Sequence, residues 1–345
     1  MKLRKREISR VGLLAAAMAS VWILVAAAAT AQATTITVGS VFSTKAVKKP
    51  FENVVTLLNT ALPEKGATLT SPVNGTIIRW HIQNAVGGPF FLRVLRPSGS
   101  GSYMAAGTSA ASMPTSEGVQ TFTTSLPVKA GDTIGVDPSH ASDEIGFVES
   151  SGGAFASIFP PPLEGATVAS SNPKSGEEVQ LSAEVQPQPT VTSVEPRAGS
   201  IAGGETVILT GTYFGEATAV KFGELPASSF KVESETKIKA VAPASKIPGS
   251  VDVTVTTPGG TSEASSADHF VYKACVVPKL KKKKLNAAKN ALRSAGCTLG
   301  KVSGLKGKEK KNKEARVVSQ KPQPGRILVP GAKVNVKLAL KRSGK

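Results

Sequence analysis

The chain of 345 residues is long enough for two or three domains once a leader is set aside. Its hydrophobic fraction of 40% is that of a globular protein, while 5% aromatics with 33 Gly and 23 Pro point to small β domains cored by Val, Ile and Leu. The formal net charge of +18 is unevenly placed: residues 273–345 hold 22 Lys and Arg against 2 Asp and Glu, whereas residues 34–272 hold 15 against 21. That distribution excludes a uniformly basic protein and describes a mildly acidic body with a strongly basic tail, whose field attracts polyanions.

Residues 1–33 read as a secretory signal peptide. Lys2, Arg4, Lys5, Arg6 and Arg10 precede an apolar run from Val11 to Ala29, and Ala31-Gln32-Ala33 supplies a small-x-small site for cleavage between Ala33 and Thr34. The run is also about long enough to serve as an uncleaved anchor, but its Ala-x-Ala ending favours cleavage. No Cys follows until Cys275, which leaves no lipoprotein acylation site, and no second long apolar run follows, so no stable membrane span is expected after cleavage. Export argues against a cytosolic enzyme fed by ATP or NADH. It also demotes nucleic acid as the partner of the basic tail.

Residues 34–187 carry β signals throughout. Ile78, Trp80 and Ile82 alternate with Arg79 and His81, and Phe91 to Leu95, Gln120 to Leu126 and Thr133 to Val136 read as further strands. Turn clusters such as Pro97-Ser98-Gly99-Ser100-Gly101 and Lys129-Ala130-Gly131-Asp132 separate them. An antiparallel sandwich or jelly roll without a long helix is expected. Trp80 shares a face with apolar residues and is expected in the core, leaving Tyr103, in a Gly/Ser loop, as the free aromatic. The stretch Asp137-Pro138-Ser139-His140-Ala141-Ser142-Asp143-Glu144 is rich enough in oxygen ligands for Ca²⁺ but lacks the spacing of a known loop; solvated turn residues are the simpler reading. Gln186-Pro187-Gln188-Pro189 reads as a short, stiff linker.

Residues 188–273 run through Thr190-Val191-Thr192-Ser193-Val194-Glu195-Pro196, Gly203-Gly204 and Thr206-Val207-Ile208-Leu209-Thr210-Gly211-Thr212-Tyr213-Phe214-Gly215. Val220-Lys221-Phe222-Gly223, Val251 to Val255, Pro258-Gly259-Gly260 and Phe270-Val271-Tyr272 complete the pattern. This series resembles the IPT/TIG immunoglobulin-like domain along its whole length. Val251, Val253 and Val255 are expected on one face, Phe214 is expected in the core between Gly211 and Gly215, and Pro258-Gly259-Gly260 is hairpin punctuation.

Residues 274–342 open with Cys275-Val276-Val277-Pro278. An amphipathic helix over Leu285 to Ala295 is predicted, with Leu285, Ala288 and Leu292 on its apolar face and Gly296 as C-cap. Gln320-Lys321-Pro322-Gln323-Pro324-Gly325 and Gly331-Ala332-Lys333-Val334 follow. These pieces resemble the PASTA domain, a small βαβββ module. The resemblance implies contact with peptidoglycan or its fragments at a bacterial surface. Cys275 and Cys297 bracket the strand–helix unit, and in an oxidising compartment they are most simply a disulfide, two free thiols being the alternative. The enclosed 22-residue loop gives a loop-entropy contribution of about 3 kcal/mol. Lys279, Lys281, Lys282, Lys283 and Lys284, together with the lysines of 306–313, are either a solvated face or a polyanion contact.

No Gly-x-Ser-x-Gly elbow, His-Glu-x-x-His pair, Walker loop or kinase signature occurs. No metal ligand set and no cofactor are expected. The expected protein is mainly β and multidomain: a signal peptide (1–33), a β-sandwich or jelly-roll-like domain (34–187), an Ig-like β-sandwich (188–273) and a small α+β module (274–342). The resemblances and the signal together imply a secreted, non-catalytic, wall-associated protein whose partner is peptidoglycan or an anionic wall polymer. The alternative is a wall hydrolase or esterase with its site in residues 34–187, built on His81 or His140 with a Ser and an acid.

Overall fold

The computed structural model describes residues 34–305 and 315–340. The expected signal peptide with Ala33, the lysines of 306–313 and residues 341–345 lie outside the described residues.

Residues 34–187 form two antiparallel sheets. One has the order Ile36–Gly39, Leu181–Pro187, Gly75–Gln83, Val119–Val128. The other runs Thr167–Ala169, Ser102–Thr108, Phe90–Gly99, Thr133–Pro138, Thr56–Ala61, Glu144–Ile158, Lys174–Val179, with Val47–Pro50 also on Glu144–Ile158. Alternation turns one row of each sheet inward, so Ile77, Trp80, Ile82 and Val185 meet Phe90, Leu92, Val94 and Val136 in a common core.

Ile78 departs from the period-2 expectation. A bulge between Ile77 and Arg79 interrupts pairing with both neighbouring strands. One extra residue reverses the parity of the strand, so Ile77 is fully buried beside Trp80 and Ile82 while Ile78 is half-buried.

The outer face of the larger sheet carries a second apolar cluster of Leu58, Leu95, Ala156 and Ile158. Tyr103 packs on it from the strand Ser102–Thr108, so it is not the free loop aromatic expected from its Gly/Ser neighbours. Arg93, buried in the adjacent strand, donates to Asp137, to Thr108 Oγ1 at 2.9 Å and to the Pro162 carbonyl at 2.7 Å, tying the Pro160-Pro161-Pro162 segment to the sheet.

The second domain packs the sheet Thr190–Glu195, Thr206–Thr212, Lys237–Val241, Ser229–Ser234 against one built on Ala198–Ser200, His269–Lys273, Gly249–Thr257, Ala219–Phe222 and Leu225–Pro226. Phe214, Phe222, Phe270 and Tyr272 fill its core, with Phe270 edge-on to both Phe222 and Tyr272 at 5.1 Å. The turn that inserts Phe214 takes its left-handed residue at Tyr213 (φ +57°), not at either flanking glycine. Gly211 is needed for space instead: a Cβ there would lie 1.8 Å from the Thr190 carbonyl oxygen and 2.4 Å from the Phe214 ring.

The third domain pairs Cys275–Val276 with Ile327–Leu328, and orders Thr298–Ser303, Lys333–Leu340 and Ala315–Lys321 in a mixed sheet. Its helix, Leu285–Ser294, buries Ala288 and Leu292 in a core with Val317, Val334, Val336 and Leu338. Gly296 (φ +69°) ends the helix: its N–H donates to the Arg293 carbonyl at 3.1 Å and the Cys297 N–H to the Leu292 carbonyl at 2.8 Å, the paired bonds of a Schellman cap. The reversal delivers Cys297 to Cys275, and the two form a disulfide with Cα atoms 4.7 Å apart.

The joints are shorter than the Pro-rich linker expected from sequence. Gln186 and Pro187 pair with Thr76 and Gly75 as the end of a first-domain strand, leaving Gln188-Pro189 as the connection. A Cβ on Gly259 of the second domain would lie 2.1 Å from the Pro187 carbonyl oxygen. Gln186 Nε2 donates to Glu216 at 2.6 Å and Thr76 Oγ1 to the Gly259 carbonyl at 3.2 Å, so the joint is sewn by hydrogen bonds. Ala274 alone separates the last strand of the second domain from the first of the third.

Candidate functional site

Lys281 and Lys282 stand at a tight turn in the third domain. The Lys283 N–H donates to the Leu280 carbonyl at 3.0 Å, and Lys282 occupies the left-handed region at φ +71°. Lys282 N–H to Val317 O (2.8 Å) and Val317 N–H to Lys283 O (3.0 Å) sew the turn to the strand Ala315–Lys321. The Gln320 amide holds the approach: its Oε1 accepts from Leu280 N–H at 2.8 Å and its Nε2 donates to the Pro278 carbonyl at 2.9 Å. The outcome is a surface cleft of about 520 Å³ lined by Lys281, Lys282 and Arg316 over Val317, Val318, Ala339 and Leu340.

Lys284 is the N-cap of the helix, makes no side-chain capping bond, and no acidic residue lies in the first turn. The amide dipoles leave roughly half a positive charge at that end. Four exposed lysines, Lys281 to Lys284, therefore lead directly into a helix terminus that disfavours positive charge. An anion is the species that would relieve both repulsions.

A second cleft of about 450 Å³ lies in the first domain. Phe51, Val55, Leu57, Phe147 and Phe155 floor it, and Lys49, Lys174 and Glu177 stand at its rim. Lys49 Nζ lies 5.7 Å from the Phe147 ring centre and Lys174 Nζ 5.7 Å from that of Phe155. Glu177 accepts from Lys49 and is 3.6 Å from Lys174 Nζ; the bond from Lys49, opposed by burial, holds its carboxyl below the usual range.

The histidines are held elsewhere. His81 Nε2 lies 3.1 Å from Glu184 Oε1 and its Nδ1 2.9 Å from Thr121 Oγ1. His140 is largely exposed, and both Ser139 Oγ (3.0 Å) and Asp143 Oδ1 (3.8 Å) meet its Nδ1. A Ser–His–Asp relay needs the hydroxyl and the carboxylate on opposite ring nitrogens, so this trio lacks that geometry. Asp137 and Asp143 are buried and so are not the solvated turn residues expected from sequence; their carboxylates are held by protein donors. Asp137 pairs with Arg93 and accepts from Thr56 Oγ1 at 2.5 Å. Asp143 accepts from the N–H groups of Gly88, Ser139 and His140 at 2.9, 3.0 and 2.9 Å.

Comparison with known families assigns two of the three domains. Residues 189–272 match the IPT/TIG domain and residues 276–339 match the PASTA domain. The chain carries an IPT/TIG domain followed by a PASTA domain. An 84-residue stretch is 36% identical to Protein SPT23 of Saccharomyces cerevisiae, covering 24% of this chain and 8% of that protein, so the chain spans under a tenth of that relative. Two structures of the Plexin A4 full extracellular region are similar at 18% and 14% identity, each with a TM-score of 0.23. They cover 41% and 71% of this chain and 13% and 16% of their own chains, and so low a score has no bearing on the reading.

Within the PASTA domain, the structure brings Lys281 and Lys282 together at the basic cleft and leaves Lys279, Lys283 and Lys284 exposed outside its lining. Thr34, which follows the expected cleavage site, is exposed ahead of the strand Ile36–Gly39. Sequence reasoning missed Arg316 and Gln320. Gln320 entered the sequence pattern only as part of the stretch that resembles the PASTA domain, whereas its side chain anchors the lysine turn. The pair of domains fits a cell-surface or wall-associated protein, and among the described residues no helix is long and apolar enough to cross a membrane.

Proposed function

We propose that the chain is a secreted, non-catalytic bacterial surface protein whose PASTA domain contacts peptidoglycan or an anionic wall polymer, with the IPT/TIG domain as a spacer. The observation that carries this reading is the placement of Lys281, Lys282 and Arg316 around one cleft, beside the turn that leads into the N-terminal end of the helix Leu285–Ser294. Lysines at that end oppose the helix dipole, and an anionic partner turns the repulsion into attraction. The apolar floor of Val317, Val318, Ala339 and Leu340 suits the methyl and ring faces of a wall saccharide or peptide. The IPT/TIG domain supports a spacer role, since its one- and two-residue connections hold a domain on each side in series.

The test is sedimentation of the 34–345 chain with purified wall sacculi across a salt series. The Debye length shrinks from about 10 Å at 0.1 M to about 3 Å at 1 M, so binding is expected to fall steeply over that range and to drop further when Lys281, Lys282, Lys283 and Lys284 are replaced by Gln. Salt-insensitive binding that ignores those substitutions refutes the electrostatic contact. No binding at any salt refutes wall attachment itself.

A further inference from the structure

We propose that Asp252, Asp268 and His269 form a binding site for a divalent first-row transition-metal ion on the IPT/TIG domain. Asp252 and His269 are directly opposed in the antiparallel pair Gly249–Thr257 with His269–Lys273, so their side chains leave the same face. His269 Nε2 lies 3.1 Å from Asp252 Oδ1. Two ligands each about 2.1 Å from a shared tetrahedral ion stand about 3.4 Å apart, so the pair needs to open by only a few tenths of an ångström to bind one. Asp268 precedes the strand and presents a ligand atom within 4.8 Å of both. Among the described residues this is the one group of three such side chains that converges.

A surface ion pair between His269 and Asp252 accounts for two of the three groups and leaves Asp268 unexplained. Asp268 is fully buried. Its Oδ2 accepts from the Ser265 N–H at 2.7 Å and the Ser265 hydroxyl at 3.3 Å, while its Oδ1 is buried with no hydrogen-bond partner. A carboxylate oxygen withdrawn from water without a partner is costly. A cation shared with Asp252 and His269 removes that cost. The side chains of Asp252 and His269 are each about half exposed, 45% and 47%, so an ion can enter from their side and complete its shell with water. One imidazole and two carboxylates suit zinc and its neighbours better than calcium, which takes six to eight oxygens. The ion would join the strand Gly249–Thr257 to the loop that ends at Asp268, and so stabilise the folded IPT/TIG domain through linkage.

The experiment uses the 34–345 chain, stripped with chelator, and follows zinc chloride binding by titration calorimetry together with thermal unfolding. One equivalent of zinc is expected to bind and to raise the unfolding midpoint of the IPT/TIG domain. His269→Ala and Asp252→Asn, both at half-exposed positions that tolerate substitution, should each weaken binding about tenfold or more. The chain has three histidines; His81→Ala and His140→Ala should leave the affinity unchanged. Absence of binding at millimolar zinc overturns the proposal. So does binding that survives both His269→Ala and Asp252→Asn, or a stoichiometry of one zinc per two chains with dimer formation.

Discussion

Glu178 stands in the first domain as a carboxyl that folding keeps protonated. It is fully buried on the strand Lys174–Val179, and its Oε1 accepts from Gln180 Nε2 at 2.8 Å. Burial, then a hydrogen bond to Glu64 and the charge of Glu64, push its pKa from 4.5 to about 8, against a smaller opposing effect of Gln180. Glu64 is the ionised partner: burial disfavours its charge, but hydrogen bonds from Ser150, Glu178 and its own backbone outweigh that and hold it below the usual range. Because the folded pKa of Glu178 lies above the unfolded one, the folded state holds one more proton between pH ~4.5 and ~8, and stability must fall as pH rises through that window. At about 1.4 kcal/mol per pH unit, the displacement from 4.5 to about 8 sets a ceiling near ~5 kcal/mol. That is a large fraction of the ~5–15 kcal/mol that holds a domain together. Trp80 is the only tryptophan after residue 33 and is buried in this domain, so its emission reports unfolding of this domain alone. Urea titrations followed at Trp80 should show the wild-type midpoint falling between pH 5 and pH 9. Glu178→Gln, which keeps a donor towards Glu64 but cannot ionise, should flatten that slope and be the more stable chain at pH 9. A wild-type midpoint that is level from pH 5 to pH 9, or a slope that persists unchanged in Glu178→Gln, refutes the protonated pair.

Phe214→Ala should cost the IPT/TIG domain about 3–5 kcal/mol, seen as loss or lowering of one calorimetric transition, because the ring is fully buried among Val, Phe and Tyr side chains. Cys297→Ser should remove about 3 kcal/mol from the PASTA domain by opening the 22-residue loop, and non-reducing peptide mapping should show the Cys275–Cys297 link only in the wild type. Lys282→Gly should raise PASTA-domain stability by about 1 kcal/mol, since a non-glycine residue at φ +71° carries left-handed strain. The same change should weaken retention on sacculi, and a Gly variant that is less stable than wild type would show that the turn is not strained.

Local pattern determined a great deal here. The burial of Trp80, the insertion of Phe214, the inward row Val253 and Val255, the amphipathic helix and its Gly296 cap were all legible, because each depends on a two- or four-residue period or on a backbone conformation that few residues adopt. The two cysteines were legible as a pair on another ground, the oxidising compartment expected from the leader together with the single strand–helix unit they bracket. What the tertiary structure decided depends on partners far apart in the chain. The bulge that swaps Ile77 for Ile78 arises from pairing with two other strands, and Tyr103 is covered by a cluster drawn from residues 58, 95, 156 and 158. The first-domain cleft collects Lys49, Phe147, Phe155, Lys174 and Glu177, and folding buries Glu178 under the influence of the Glu64 charge. Asp252 meets His269 only through sheet register, and Gln320 reaches Leu280 across 40 residues. Periodicity tells a residue which way to face; only the packing of sheet on sheet, and the burial it imposes on charge, settles what it faces.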